Sequence, residues 1–246
     1  MRENVELTGI VLSSMPVKDY DKRLVILTRE RGKITAFANG ARKPNSPYRG
    51  ISEPFNFGTF TLREGYDAYG LQGGEIKEYF TDVKNDIEGI CYGTYFCEVL
   101  EYLCVEGIGD ANILNLLYLS LKALSNKNIA NRLIRRIFEL KLLVYDGEAL
   151  EAFSCVHCRK EAVKAFSLQW NGLLCAECAI RVKGSRILQE STVYTLQYII
   201  SSSLDQLFTF QLSEEILEEL EKVIGEYFAK HVPAKFNSLE ILASLS

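Results

Sequence analysis

Residues 23–38 (RLVILTRERGKITAFA) hold two β-rich runs, 23–28 and 33–38, around the polar turn Glu30-Arg31-Gly32, and so predict a β-hairpin. Upstream, residues 4–13 (NVELTGIVLS) are strand-like, with Gly9 placed for a bulge or a barrel bend. Downstream, residues 55–63 (FNFGTFTLR) and 66–72 (YDAYGLQ) flank Glu64-Gly65 as a second hairpin. Between the hairpins, residues 40–54 are rich in Gly, Pro, Ser and basic side chains and read as a loop. Five short strands in about 70 residues find their natural closure in a small barrel of the OB type, because closure removes exposed strand edges. An SH3-like barrel gives a similar pattern, and strand count alone does not separate the two.

Beyond residue 80 the period becomes helical. Tyr95, Phe96, Val99, Leu100 and Leu103 share one face, and Asp110 is placed to cap a second helix carrying Ile113, Leu114, Leu117, Leu121 and Leu124. A third helix over 129–145 is apolar almost all round (Leu133, Ile134, Ile137, Phe138, Leu140, Leu143, Val144), which predicts a central position. Its charged stripe is Arg132, Arg135, Arg136 and Glu139. Helices resume over 191–204 and 213–229, the latter with Ser213 as the expected N-cap. The expected class is therefore α+β: a five-stranded barrel over 1–80, then a helical domain over 81–246 with a cysteine-bearing insert at 153–180.

The 246 residues are 48% apolar and 24% charged, an ordinary globular composition that argues against disorder. No apolar run suits a membrane span, and the N-terminus lacks the pattern of a signal peptide, so a cytoplasmic protein is expected. The net charge is −4, yet residues 1–50 hold ten Lys/Arg against five Asp/Glu, a basic head on an acidic body. Two histidines, no phosphate-binding glycine loop, no nucleophile elbow and no evident acid–base pair leave a catalytic reading without a constellation.

Cys155-Val-His-Cys158 and Cys175-Ala-Glu-Cys178 form C-x2-C-x16-C-x2-C, the spacing of a zinc site. Four thiolates saturate tetrahedral Zn²⁺ and leave no position for water, so the ion is expected to be structural, one per chain. Two redox pairs or free thiols are the alternative, and His157 is a possible substitute ligand. Cys91, Cys97 and Cys104 read as small core residues.

Residues 29–49 carry Arg29, Arg31, Lys33, Arg42, Lys43 and Arg49 against Glu30, threaded with Phe37 and Tyr48. A basic groove with stacking aromatics is how small barrels hold single strands, although a solvated basic loop has the same composition. The Arg132/Arg135/Arg136 stripe could receive an acidic, hydrophobic peptide or simply face solvent. The basic residues about the insert, Arg159, Lys160, Lys164, Arg181, Lys183 and Arg186, could extend a DNA path or lie on a solvated surface.

Gly40-Ala-Arg42-Lys43, Ser46, Gly50 and Pro54-Phe55 resemble the RecO signature, roughly G-A-R-x-x-x-S-x-x-x-G-x-x-x-P-F. Thr28-Arg-Glu-Arg-Gly32-Lys33 before it, RLIRRIFELKLL at 132–143, and Lys235, Ser238 and Leu239 near the end complete the resemblance in the family's order. Asn39 and Thr35 stand where relatives can carry basic residues, and Pro47 replaces a frequent arginine. The resemblance implies an OB-fold, a helical body and a zinc-binding insert. It also implies a non-enzymatic mediator of DNA repair and recombination. Such a mediator binds single- and double-stranded DNA, anneals complementary strands, contacts the C-terminal tail of single-stranded DNA-binding protein, and acts with RecR to load RecA. By position in the motif, DNA contact falls to Lys33, Arg42, Lys43 and Arg49; by location in the helical body, where relatives hold the tail, Arg132, Arg135 and Arg136 are the candidates for tail contact. During repair the resemblance implies association with the nucleoid. The competing readings are a protein–protein adaptor presenting a barrel and a zinc ribbon, and a zinc-dependent enzyme.

Overall fold

The computed structural model describes residues 4–245. Its strands are β1 (Asn4–Val17), β2 (Asp21–Thr28), β3 (Gly32–Ala38), β4 (Phe57–Arg63) and β5 (Tyr69–Glu78). Next come helices α1 (Thr81–Lys84), α2 (Ile87–Leu103), α3 (Ala111–Leu124) and α4 (Asn131–Tyr145). The rest are β6 (Val163–Ser167), β7 (Gly172–Cys175), α5 (Ala176–Arg181), β8 (Arg186–Ile187), α6 (Glu190–Ser201), α7 (Glu214–His231) and α8 (Asn237–Leu245). No helix among the described residues is long and apolar enough to cross a membrane.

The first five strands close into a barrel in the order β1-β2-β3-β5-β4. Strand β1 makes closure possible by pairing twice. Asn4–Ile10 run antiparallel to β4, and Gly9–Val17 run antiparallel to β2. A short parallel contact, Ala36 with Tyr69 and Phe37 with Gly70, joins β3 to β5. This Greek-key order is that of an OB-type barrel, and it decides what strand count left open. Gly9 sits at the crossover of the two pairings, facing Thr28 on one side and Gly58 on the other. A Cβ there would stand 2.4 Å from the Leu27 carbonyl oxygen, so the position needs glycine for close backbone approach. The register irregularity itself lies further on, between Val11 and Ser13. Alternate residues (Leu7, Val11, Leu24, Ile26, Ile34, Ala36, Phe60, Leu62) fill the barrel interior. Each large aliphatic side chain there contributes about 1.5–3 kcal/mol by leaving water.

Two compact units divide the chain: residues up to Ser125 with those from Phe236 onward, and Asn126–Lys235. Residue 80 marks the change from strand to helix, but the barrel shares its compact unit with α1, α2, α3 and α8. Asp86 and Asp110 cap α2 and α3, accepting from the backbone N–H of Gly89 (3.1 Å) and Asn112 (2.7 Å). Helix α2 packs on β1 and β2. The barrel's outward-facing Val25 and Leu27 are accordingly buried, a pattern that strand alternation alone does not predict. The β2–β3 turn locks into the loop after α2: Lys33 N–H donates to the Val105 carbonyl (3.3 Å), and Gly107 N–H to the Arg31 carbonyl (3.0 Å).

In the second unit α4 is central, as its apolar circumference predicts, packing on α6 and α7. Its charged stripe turns onto partners within the unit. Arg132 bonds Glu221 and Glu214, while Arg135 (2.7 Å) and Arg136 (2.6 Å) both donate to the wholly buried Glu139. Burial of a carboxylate is tolerable only with such charged donors in place. Ser213 occupies the N-cap position of α7, though its side chain makes no capping bond.

Gly32 offers a direct check on the barrel-to-helix lock. Its φ is +63°, and a Cβ would lie 2.3 Å from the Ile108 carbonyl oxygen. Gly32→Ala is expected to destabilise the barrel-bearing unit by about 1–3 kcal/mol, read as a lower urea midpoint. An unchanged midpoint would show that the turn does not hold the helices.

Candidate metal centre and nucleic-acid interface

Two knuckles bring the four cysteines together. In the first, Arg159 N–H donates to the Cys155 carbonyl (2.8 Å) with Arg159 in the left-handed region (φ 66°), and Cys155 N–H donates to the Lys160 carbonyl (2.7 Å). In the second, β7 delivers Cys175 to the N-cap of α5, and the first turn of that helix places Cys178 beside it. Leu173 ties the two, its carbonyl accepting from Val156 N–H (2.9 Å). The four sulfur atoms all lie within 4.8 Å of one another, with Cys158 and Cys175 3.6 Å apart. Tetrahedral zinc with Zn–S bonds of about 2.3 Å separates its ligands by about 3.8 Å. The donor set therefore fits one four-coordinate zinc ion, held by Cys155, Cys158, Cys175 and Cys178. His157 stands outside that set, its Nδ1 3.7 Å from the Cys178 sulfur and its ring edge-on to Trp170.

The electrostatics explain why a divalent ion suits the cluster. Burial pushes the Cys155 thiol up, but the backbone N–H groups around it (Cys175, Cys158, His157) outweigh this and hold it at about 6. Cys178 is pushed up to about 12 by burial and by the sulfurs beside it. One thiolate forms readily and opposes the next, and a bound cation removes that opposition. The insert's own core is slight: Ala165, Leu174 and Ala179 with the cysteines, and Val156, Val163 and Val182 at the edge. The ion thus supplies cohesion that side-chain burial does not. Cys91 and Cys97 are buried on α2, in the first unit, and are not members of this cluster. Burial pushes the Cys97 thiol far up, as for a core residue.

The second feature lies on the barrel. One outward row runs straight across three strands: Met15 on β1 faces Arg23 on β2, and Arg23 faces Phe37 on β3. Met15 is 55% exposed and Phe37 38% exposed, so the helices leave this end of the face open. A groove beside it is lined by Lys18, Asp21, Phe37, Arg63, Glu64 and Tyr69, joining the β1–β2 and β4–β5 turns. A neighbouring groove runs from Tyr20 to Lys43 and Tyr48, and the Lys43 ammonium stands 5.8 Å from the centre of the Tyr20 ring.

The four basic residues singled out from the sequence separate here. Arg42, Lys43 and Arg49 are exposed on the loop between β3 and β4. The Arg42 guanidinium holds the β1–β2 turn, donating to the Asp19 carbonyl (3.2 Å). Lys33 lies at the covered end of the face, and its ammonium donates to the Glu101 carbonyl in the last turn of α2. There it offsets the partial negative charge of a helix C-terminus. Lys18, Arg23 and Arg63 do not stand out in the sequence because only register and closure put them beside Phe37. Around the insert, Lys160 pairs with Glu177 (2.8 Å) and Arg186 with Glu226 (2.6 Å), whereas Lys164, Arg181 and Lys183 are exposed.

Comparison with known proteins agrees with this geometry. The family pattern described as "Recombination protein O N terminal" matches residues 1–80, and "Recombination protein O C terminal" matches residues 84–240. The chain is 29% identical to the DNA repair protein RecO of Acetivibrio thermocellus, across 98% of this chain and 97% of that one. It is 31% identical to the RecO of Alkaliphilus metalliredigens (96% and 98%) and 31% identical to that of Clostridium perfringens strain 13 (97% and 97%).

Metal analysis of the purified chain is expected to find one zinc per molecule, retained less well as pH falls because binding requires thiolates. Cys175→Ser should lose the metal and loosen the insert while the barrel's unfolding midpoint stays put. Full metal content in that variant would remove Cys175 from the ligand set.

Proposed function

The chain belongs to the RecO family, and from that premise we propose that it is a non-enzymatic mediator of DNA repair and recombination. It binds single- and double-stranded DNA on its barrel and anneals complementary strands. With RecR it helps RecA load on DNA coated by single-stranded DNA-binding protein. The observation that carries the DNA reading is the open row Met15–Arg23–Phe37 with Lys18 and Arg63 in the groove beside it, together with exposed Arg42, Lys43 and Arg49 on the loop between β3 and β4.

The mechanism requires no bond chemistry in the protein. Basic side chains displace counterions from phosphates, which makes affinity fall with salt. Phe37 offers a ring on which a base stacks, worth about 1–3 kcal/mol where stacking occurs. Neutralising two strands on one surface lowers their repulsion, and base pairing supplies the free energy of annealing. Lys33 supports this face indirectly, by fastening the β2–β3 turn to α2.

A second contact raises the local concentration of the mediator at coated DNA. We place the acidic tail of single-stranded DNA-binding protein on the helical unit. Arg132, whose side chain is 41% exposed, would exchange Glu214 for a tail carboxylate. Arg135 and Arg136 are held by Glu139 and serve as the base of that contact.

Oligonucleotide titrations at several salt concentrations test the DNA reading. Arg42→Ala with Lys43→Ala is expected to weaken binding and to lower the log–log salt slope by about 1.4, at about 0.7 per single-strand phosphate contact. Phe37→Ala should weaken binding with the slope unchanged. Lys33→Ala should lower stability and leave the slope as it was. An unchanged affinity and slope in the double variant would defeat the loop assignment. An adaptor that presents surfaces only would show no salt-sensitive uptake at all.

A further inference from the structure

The helical unit carries an aromatic groove that the DNA reading does not use. Residues Glu190, Tyr194, Tyr198, Phe210, Gln211 and Leu212 line a cavity of about 560 Å³ between α6 and the segment leading into α7. Tyr194 and Tyr198 lie one turn apart on α6 with their rings stacked, centroids 6.3 Å apart at 28°. Phe210 meets Tyr198 edge-on, 5.3 Å away at 84°. Tyr198 is fixed by its hydroxyl, which donates to the Gln206 carbonyl (3.1 Å). Among the described residues no such tie holds Tyr194, which is 66% exposed. The groove is thus a preformed aromatic wall with one free ring at its mouth.

Charge decides what the wall can receive. Residues 187–221 contain seven Asp/Glu and not one Lys or Arg. Glu190 lines the groove, and no ion pair engages it among the described residues. Glu214 and Glu221 are met by Arg132, whereas Glu215 accepts from the neutral amide of Gln189 (2.8 Å) and no ion pair engages it among the described residues. A phosphate backbone or an acidic peptide would meet uncompensated carboxylates here. A cation would meet ring faces and a carboxylate together, the combination that attracts an ammonium or guanidinium group.

We propose that this groove is a docking site for a partner protein's extended segment bearing Lys or Arg, with one cationic side chain laid against Tyr194 and Tyr198 and paired with Glu190. The groove belongs to the second unit and the DNA face to the first, and their charge preferences are opposite. The two are loaded by different ligands and read out independently. A partner carrying such a segment gains a hold on the helical unit without competing for the basic loop.

The test uses the full chain and two labelled peptides that share their apolar residues, one carrying Arg and Lys and the other Asp and Glu. Fluorescence anisotropy at low and high salt is expected to show binding of the basic peptide alone, weakened by salt. Tyr194→Ala and Glu190→Gln, both changes at the surface, should each weaken it about fivefold or more, while oligonucleotide binding stays at its original strength. Wild-type affinity for the basic peptide in both variants would overturn the proposal, since binding would then reflect the acidic surface in general. Preference for the acidic peptide would overturn it as well. So would concentration-dependent self-association abolished by Tyr194→Ala, because the occupant would then be a second copy of the chain.

Discussion

One strand serving two neighbours is the constraint from which the rest of the barrel unit follows. Strand β1 gives its first half to β4 and its second half to β2, and glycine at position 9 lets the backbones approach at the crossover. Closure fixes which residues point outward on β1, β2 and β3. Helix α2 then covers the Val25–Leu27 end of that outward face, and the Arg23–Phe37 end remains open. Lys33 and Phe37 project from the same face of the same strand, yet one anchors a helix terminus and the other meets solvent. Four residues of displacement along β3 separate a structural role from a proposed binding role.

The zinc ribbon obeys a different economy. Its interior is two alanines and Leu174 around the sulfurs with valines at the edge, too little apolar surface to order the loops that surround it. Cohesion must come from ligation, and the geometry of the two knuckles is already that of a closed, four-sulfur site. Closed ligation leaves no coordination position for a reacting water, which matches a family that works by binding.

Much of this was legible in the amino-acid order because local chemistry dictated it. Hairpin turns at Glu30-Arg31-Gly32 and Glu64-Gly65, the cap at Asp110, the apolar circumference of α4 and the cysteine spacing all act within a few residues. The Asp86 cap is recognisable only once the start of α2 is known. What lay hidden depends on contacts across long sequence separations. Strand pairing chose between barrel types, and Lys33 meets the Glu101 carbonyl across 68 residues of sequence. Arg132 pairs with Glu214 and Glu221, more than 80 residues away in the chain, so its partners do not show in the local sequence. Likewise, the aromatic groove joins Tyr194 to Phe210 across a turn that periodicity does not describe.

The central claim is that nucleic acid lies on the open end of the β1-β2-β3 face and its adjoining loop. Mapping amide chemical shifts while a short single-stranded oligonucleotide is added measures this directly. The account predicts the largest changes at Met15, Lys18, Arg23, Phe37, Arg42 and Lys43, with Lys33 and the 187–221 segment quiet. Changes centred on the helical unit or the ribbon, with the barrel face silent, would contradict it.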